Sequence, residues 1–180
     1  MNAVNLLIFG APGSGVSTLS EKLSAKLDVP YIKLHNEQKP PDAGDPTIIS
    51  EEVFVQATNN LKKKGYIIDG SPCLLSWQLE RLNGVIYLIT PKLERLQRLR
   101  NRELTSQGAD ILKEGCRPFR VFNRYMYWVS QFDQAGVDRE SKLLHQKFLS
   151  SLSIPIFRAN GLLSIEELTQ QTHDWIKDLD

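Results

Sequence analysis

Gly10-Ala11-Pro12-Gly13-Ser14-Gly15-Val16-Ser17-Thr18 follows an apolar run at residues 4–9 and leads into an amphipathic segment at residues 17–27. A buried strand, a glycine-rich turn and a helix, in that order, form the setting of a phosphate-binding loop. The glycines permit backbone angles that turn successive N–H groups toward phosphate oxygens, and the positive end of the following helix dipole points at the same place. The pattern G-x-x-x-x-G-K-[ST] is met at Gly10, Gly15 and Ser17 and broken at one position. Val16 stands where a lysine ammonium would meet the β and γ phosphates, so binding and chemistry have to be argued separately. Gly10, Gly13, Ser14, Gly15, Val16, Ser17 and Thr18 are the candidate nucleotide-contacting residues. Ser17 is the hydroxyl expected to meet a bound Mg2+, with Thr18 backing it through a phosphate contact. A plain capping role for the same hydroxyls is compatible with that.

Outward from the loop, short apolar runs at residues 4–9, 31–34, 65–69, 85–90 and 154–158 alternate with longer amphipathic segments. Runs of this kind suit strands buried on both faces of a parallel sheet. Leucines recur at helical spacing at Leu19, Leu23 and Leu27 and at Leu93, Leu96 and Leu99; Leu143, Leu144 and Phe148 make another apolar face. Ser164 and Glu167 have capping-box spacing ahead of Leu168, Thr172, Trp175 and Ile176, which predicts a terminal helix docked on the sheet. The alternation reads as α/β architecture. Two stretches, HNEQKPPDAGDP at residues 35–46 and TSQGADILKEGCRP at residues 105–118, break the rhythm and read as loops. They are candidate covers for a site, or ordinary surface excursions.

Bulk properties narrow the class. With 180 residues, 41% of them hydrophobic, residues 1–180 fit a single domain with its own core. A net charge of +1 gives no bulk attraction to nucleic acid or anionic membrane. The apolar N-terminal run has no basic leader and is far below the roughly 20 residues that span a bilayer. Cys73 and Cys116 are too few for a disulfide framework. The expectation is a cytoplasmic protein with no membrane partner.

A second constellation is GYIIDGSP at residues 65–72, where an apolar strand ends in Asp69. A carboxylate there can hold magnesium directly or through water; its plainer reading is a turn-forming Asp before Gly70. His35 has no second ligand nearby and carries no metal argument. Tyr125, Tyr127, Trp128 and Phe132 read as core aromatics rather than as a stacking platform beside Arg120 and Arg124.

The loop GAPGSG-ST, the strand GYIIDGSP and the segment VIYLITPKLERLQRLRNR together resemble the successive signature segments of adenylate kinases and related nucleoside monophosphate kinases. The resemblance covers residues 4–27 and 65–103; residues 127–175 look more like small bacterial P-loop ATPase or kinase-like proteins of uncertain substrate. It implies a P-loop NTPase fold, a five-stranded, mainly parallel sheet in the order 2-3-1-4-5 flanked by helices. It also implies an acceptor-side insert at residues 35–60 and a lid at residues 104–124. The family helix carrying L-x-x-R-L-x-x-R corresponds here to L-x-R-L-x-x-R at Leu96, Arg98, Leu99 and Arg102, one residue shorter between the first leucine and arginine, and the resemblance implies that Arg98 and Arg102 clamp phosphates, forming with Asp69 the catalytic set. The implied ligand is a purine triphosphate with Mg2+, donating a phosphoryl group to a nucleotide or small-molecule hydroxyl.

The departures are at charged positions. Besides Val16, Cys73 replaces the family arginine that grips the monophosphate, and Trp77 stands at the family glutamine, with Gln78 one place late. Losing one charged partner of a partly desolvated pair costs about 2–5 kcal/mol. Three readings follow: a working phosphotransferase, a catalytically impaired nucleotide-binding module, and an interaction domain whose loop binds only an anion. Lys33, the helix bearing Arg98 and Arg102, Arg117, Arg120, Arg124 and Arg139 are the reservoir from which a substitute cation would come.

Overall fold

In the computed structural model, residues 3–34, 65–71 and 81–179 are described. Five strands, β1 (Val4–Gly10), β2 (Tyr31–Lys33), β3 (Gly65–Asp69), β4 (Gly84–Ile89) and β5 (Ile156–Asn160), form one sheet in the order β2-β3-β1-β4-β5, every pairing parallel. Among the described residues five helices accompany them: α1 (Val16–Leu27), α2 (Lys92–Gln107), α3 (Arg117–Ser130), α4 (Lys142–Ser151) and α5 (Ile165–Lys177). A short 3-10 turn, Ala109–Leu112, lies between α2 and α3. The fold class and strand order expected from the sequence are both present.

Side chains alternate across a strand, and β1 uses both faces. Leu6 and Ile8 join Leu19 and Leu23 of α1, Ile67, Ile86 and, from α5, Leu168 and Ile176 in one cluster; Leu7 and Phe9 join Tyr66, Ile68, Val85 and Leu149 of α4 in another. Leu6, Leu7 and Ile8 are fully buried, each worth roughly 1.5–3 kcal/mol of transfer free energy. A third cluster, Leu99 with Tyr125 and Val129, packs α2 on α3. The α5 capping box forms as its spacing predicts, and Trp175 stacks on Phe157 of β5 with ring centroids 5.3 Å apart.

Three helical expectations change. Leu93 is 82% exposed, because the face that α2 buries is set by Arg95 and Leu99, one turn apart. Leu143 is exposed, and α4 buries His145 and Leu149 instead. The stretch at residues 105–118 is not one loop: it holds the last turn of α2, the 3-10 turn and the start of α3, anchored by the fully buried Ile111. Its glycines and proline mark the boundaries of short helical pieces, with Pro118 at the tolerated second position of α3. The stretch at residues 35–46 and the insert expected at residues 35–60 lie outside the described residues.

Candidate functional site

Register brings the site together at the carboxyl edge of the sheet. Asp69, the last residue of β3, pairs with Ile8 of β1 on one side and Lys33 of β2 on the other. The chain leaves β1 at Gly10 and turns sharply through Gly13 (φ 80°) and Gly15 (φ 102°), angles that L side chains rarely adopt. At Gly13 there is also no room: a Cβ would sit 2.6 Å from the Arg95 carbonyl oxygen and 2.8 Å from Leu99 Cγ. Gly15 caps α1 and has no side chain to offer, so among the described residues no N-cap side chain covers the first N–H groups of the helix. They face a cavity of about 260 Å³ lined by residues 9–18 together with Lys33, Asp69, Ser71, Arg98, Arg102 and Glu140.

At the floor of this cavity the Ser17 hydroxyl donates to Asp69 Oδ2 at 2.6 Å, and the Tyr31 hydroxyl donates to the same oxygen at 2.7 Å. Burial, then the hydrogen bond to Asp69 and its charge, push the Tyr31 hydroxyl well above the ordinary tyrosine range. Two oxygens side by side at the mouth of the helix fit a magnesium ion, which takes one or two protein ligands and completes its shell with water and phosphate. Among the described residues no group of three His, Cys, Asp or Glu side chains could hold a metal unaided.

The remaining candidates fall differently. Val16 is half-buried and lines the cavity while packing against the apolar cluster on the α1 face of the sheet. Arg98 lies over the loop, but its guanidinium donates to the carbonyls of Ser14 (3.3 Å) and Gly161 (2.9 Å) and to Glu94 (2.8 Å). Arg102 reaches the Tyr125 hydroxyl at 3.0 Å and Glu103 at 3.1 Å. Arg139 turns away, its guanidinium 4.5 Å from the Trp128 ring centroid. Tyr125 and Phe132 are core residues as expected, whereas Tyr127 is 68% exposed. His35, Cys73, Trp77 and Gln78 lie outside the described residues.

Two groups of supporting residues are not evident from the sequence. Arg95, 1% exposed, donates to the Thr90 carbonyl at 3.0 Å and the Pro12 carbonyl at 3.5 Å, pairs with Asp133 and lies over the Phe132 ring at 5.3 Å. It ties the loop to the segment after α3. Glu140 accepts from the Ser71 hydroxyl and pairs with His145, which is fully buried among the edges of Phe9, Tyr87 and Phe132. That contact fixes the turn after β3 to α4. Nothing in the sequence spacing marks either group, because each is assembled from elements that meet only in the fold.

Comparison with known proteins bears on the fold. Over 173 residues the chain is 27% identical to the uncharacterized protein YqaC of Bacillus subtilis (strain 168), spanning 96% of this chain and 97% of YqaC. The structure of deoxyadenosine kinase from M. mycoides with bound dATP superposes with a TM-score of 0.57 at 15% identity, over 97% of this chain and 100% of that one. An unliganded sugar kinase from Janibacter sp. HTCC2649 superposes with a TM-score of 0.51 at 13% identity, over 97% and 95% of the two chains. These likenesses establish a P-loop kinase-like fold. A family model for the AAA domain matches residues 6–114, a span that takes in the phosphate loop, the Asp69 strand and the arginine-bearing helix α2, and the chain belongs to that family.

Proposed function

We propose that this protein binds a purine nucleoside triphosphate with Mg2+ at the loop after β1 and transfers its terminal phosphoryl group to a nucleotide or small-molecule hydroxyl, in the manner of adenylate kinases. The observation that carries the reading is the Ser17 hydroxyl 2.6 Å from Asp69 Oδ2, at a helix N-terminus whose cap residue is a glycine with no side-chain hydrogen bond. Backbone N–H groups of the loop bind the phosphates, and Ser17 and Asp69 hold the ion. Bound there, magnesium would neutralise charge on the β and γ phosphate oxygens. Tyr31 keeps Asp69 oriented. Arg98 braces the loop through the Ser14 carbonyl, while Arg102 lines the cavity just before residues 104–124, the proposed lid.

A second reading, binding without turnover, is favoured by one observation: Val16 packs into the apolar cluster and offers the phosphates no charge. Calorimetry with ATP, with and without Mg2+, followed by a phosphoryl-transfer assay across nucleoside monophosphates and hydroxyl acceptors, separates the two. Magnesium-dependent binding with turnover is expected. Binding without turnover that Val16→Lys restores supports the impaired module instead, and no ATP affinity in either condition refutes both.

A further inference from the structure

Among the described residues three cationic side chains line the cavity, and two are already engaged. Arg98 is held by Glu94 and two carbonyls, and Arg102 by Tyr125 and Glu103. The third, Lys33, is exposed and makes no hydrogen bond or ion pair among the described residues. It is the last residue of β2 and lies in register with Asp69, the carboxylate beside Ser17. Strands in a sheet lie about 4.8 Å apart, so β2 is roughly 10 Å from the line of β1 and its loop, across β3. A lysine's flexible four-carbon stem covers much of that gap, and its ammonium is a point charge with three rotatable donors, suited to phosphate oxygens approached from any side.

Resting on the nucleotide-binding reading above, we propose that Lys33 supplies the cation that Val16 does not: the phosphate-pairing lysine has moved from the N-terminus of α1 to the end of β2. The ammonium would meet the β and γ phosphate oxygens from the Asp69 side of the cavity. The position beside Gly15 that a loop lysine would occupy is then free for the aliphatic side chain of Val16, which packs against the sheet.

The test is a cycle of four proteins, native, Lys33→Met, Val16→Lys and the double variant, titrated calorimetrically with ATP and Mg2+. Lys33 is exposed at the end of an edge strand, so Lys33→Met is expected to fold, with circular dichroism as the check. Lys33→Met should weaken ATP binding by roughly 10- to 100-fold. Val16→Lys should recover most of that loss in the Lys33→Met background while adding little to the native protein, because the two lysines serve the same oxygens. A native protein that binds ATP with an affinity unchanged by Lys33→Met overturns this inference and leaves the nucleotide-binding reading intact. So does an equal gain from Val16→Lys in both backgrounds. A native protein with no ATP affinity overturns both.

Discussion

Replacing Arg95 by methionine keeps an unbranched side chain of similar length and removes the buried guanidinium that joins the phosphate loop to the rest of the protein. Three consequences can be sized. Breaking a buried ion pair costs about 3–5 kcal/mol, but the Asp133 side chain is 32% exposed and rehydrates, which lowers the figure. The Thr90 carbonyl, on a residue 7% exposed, loses its 3.0 Å donor, at about 1–3 kcal/mol for an unsatisfied buried acceptor. The contact over Phe132 adds about 0.5–2 kcal/mol. These contributions overlap, and a total of about 3 kcal/mol is expected. Urea unfolding followed by circular dichroism should show a lower midpoint with an unchanged slope, since the loss is in the native state. Arg95→Lys retains the charge but not the fork, and should fall between the two. Asp133→Asn combined with Arg95→Met should cost clearly less than the sum of the single changes. A loss below about 1 kcal/mol in Arg95→Met, or strict additivity with Asp133→Asn, would refute the view that this arginine is a strut for the loop.

Gly13→Ala should lower the thermal midpoint by about 5–10 °C, because a φ of 80° is strained for alanine and the added Cβ would meet a backbone carbonyl that cannot swing aside; an unchanged melt would show the loop to be pliant. Tyr31→Phe removes one of two donors to Asp69 and should cost about 1.5 kcal/mol at neutral pH by urea unfolding. Because burial and Asp69 raise the folded pKa of Tyr31, its contribution is present below about pH 10 and lost as pH climbs beyond that, so the variant should show a shallower alkaline decline. Some slope should remain, since burial also raises Tyr66 and Tyr87. His173 behaves in the opposite sense. Burial, then Lys177 and Lys26, lower its folded pKa, so stability present above about pH 6.5 is lost as pH falls through the depressed value. His173→Gln should flatten the decline between about pH 6.5 and 5, and an unaltered profile would remove this histidine from the account.

The parts of the molecule legible in the sequence are those whose physics is local. Gly10, Gly13, Gly15 and Ser17 announce a strand, a turn and a helix together, and the apolar runs around Leu6, Ile67 and Ile86 give the sheet because strands buried on both faces need no alternation. Asp69 is legible by the same logic, as the polar end of such a run. What could not be read is what depends on approach from elsewhere. The three-residue leucine spacing at Leu93, Leu96 and Leu99 looked like a buried face, yet a guanidinium with three partners outcompetes an exposed leucine for the interior once Asp133 and Pro12 are brought near. Residues 105–118 looked like a loop because glycine and proline dominate their composition, while the single buried Ile111 decides their packing. Tyr31, Glu140 and His145 each orient a site residue across a gap in sequence that no local pattern spans.

Val16 also bears on the protein before any nucleotide arrives. A lysine at that position would hold its ammonium at the positive pole of α1, where the helix dipole opposes it until an anionic ligand arrives. The isopropyl group carries no such tension and gains from contact with the sheet. The uncomplexed form is therefore at ease, and without nucleotide it should melt at a higher temperature than a Val16→Lys counterpart: a receptor whose firmness does not depend on being filled.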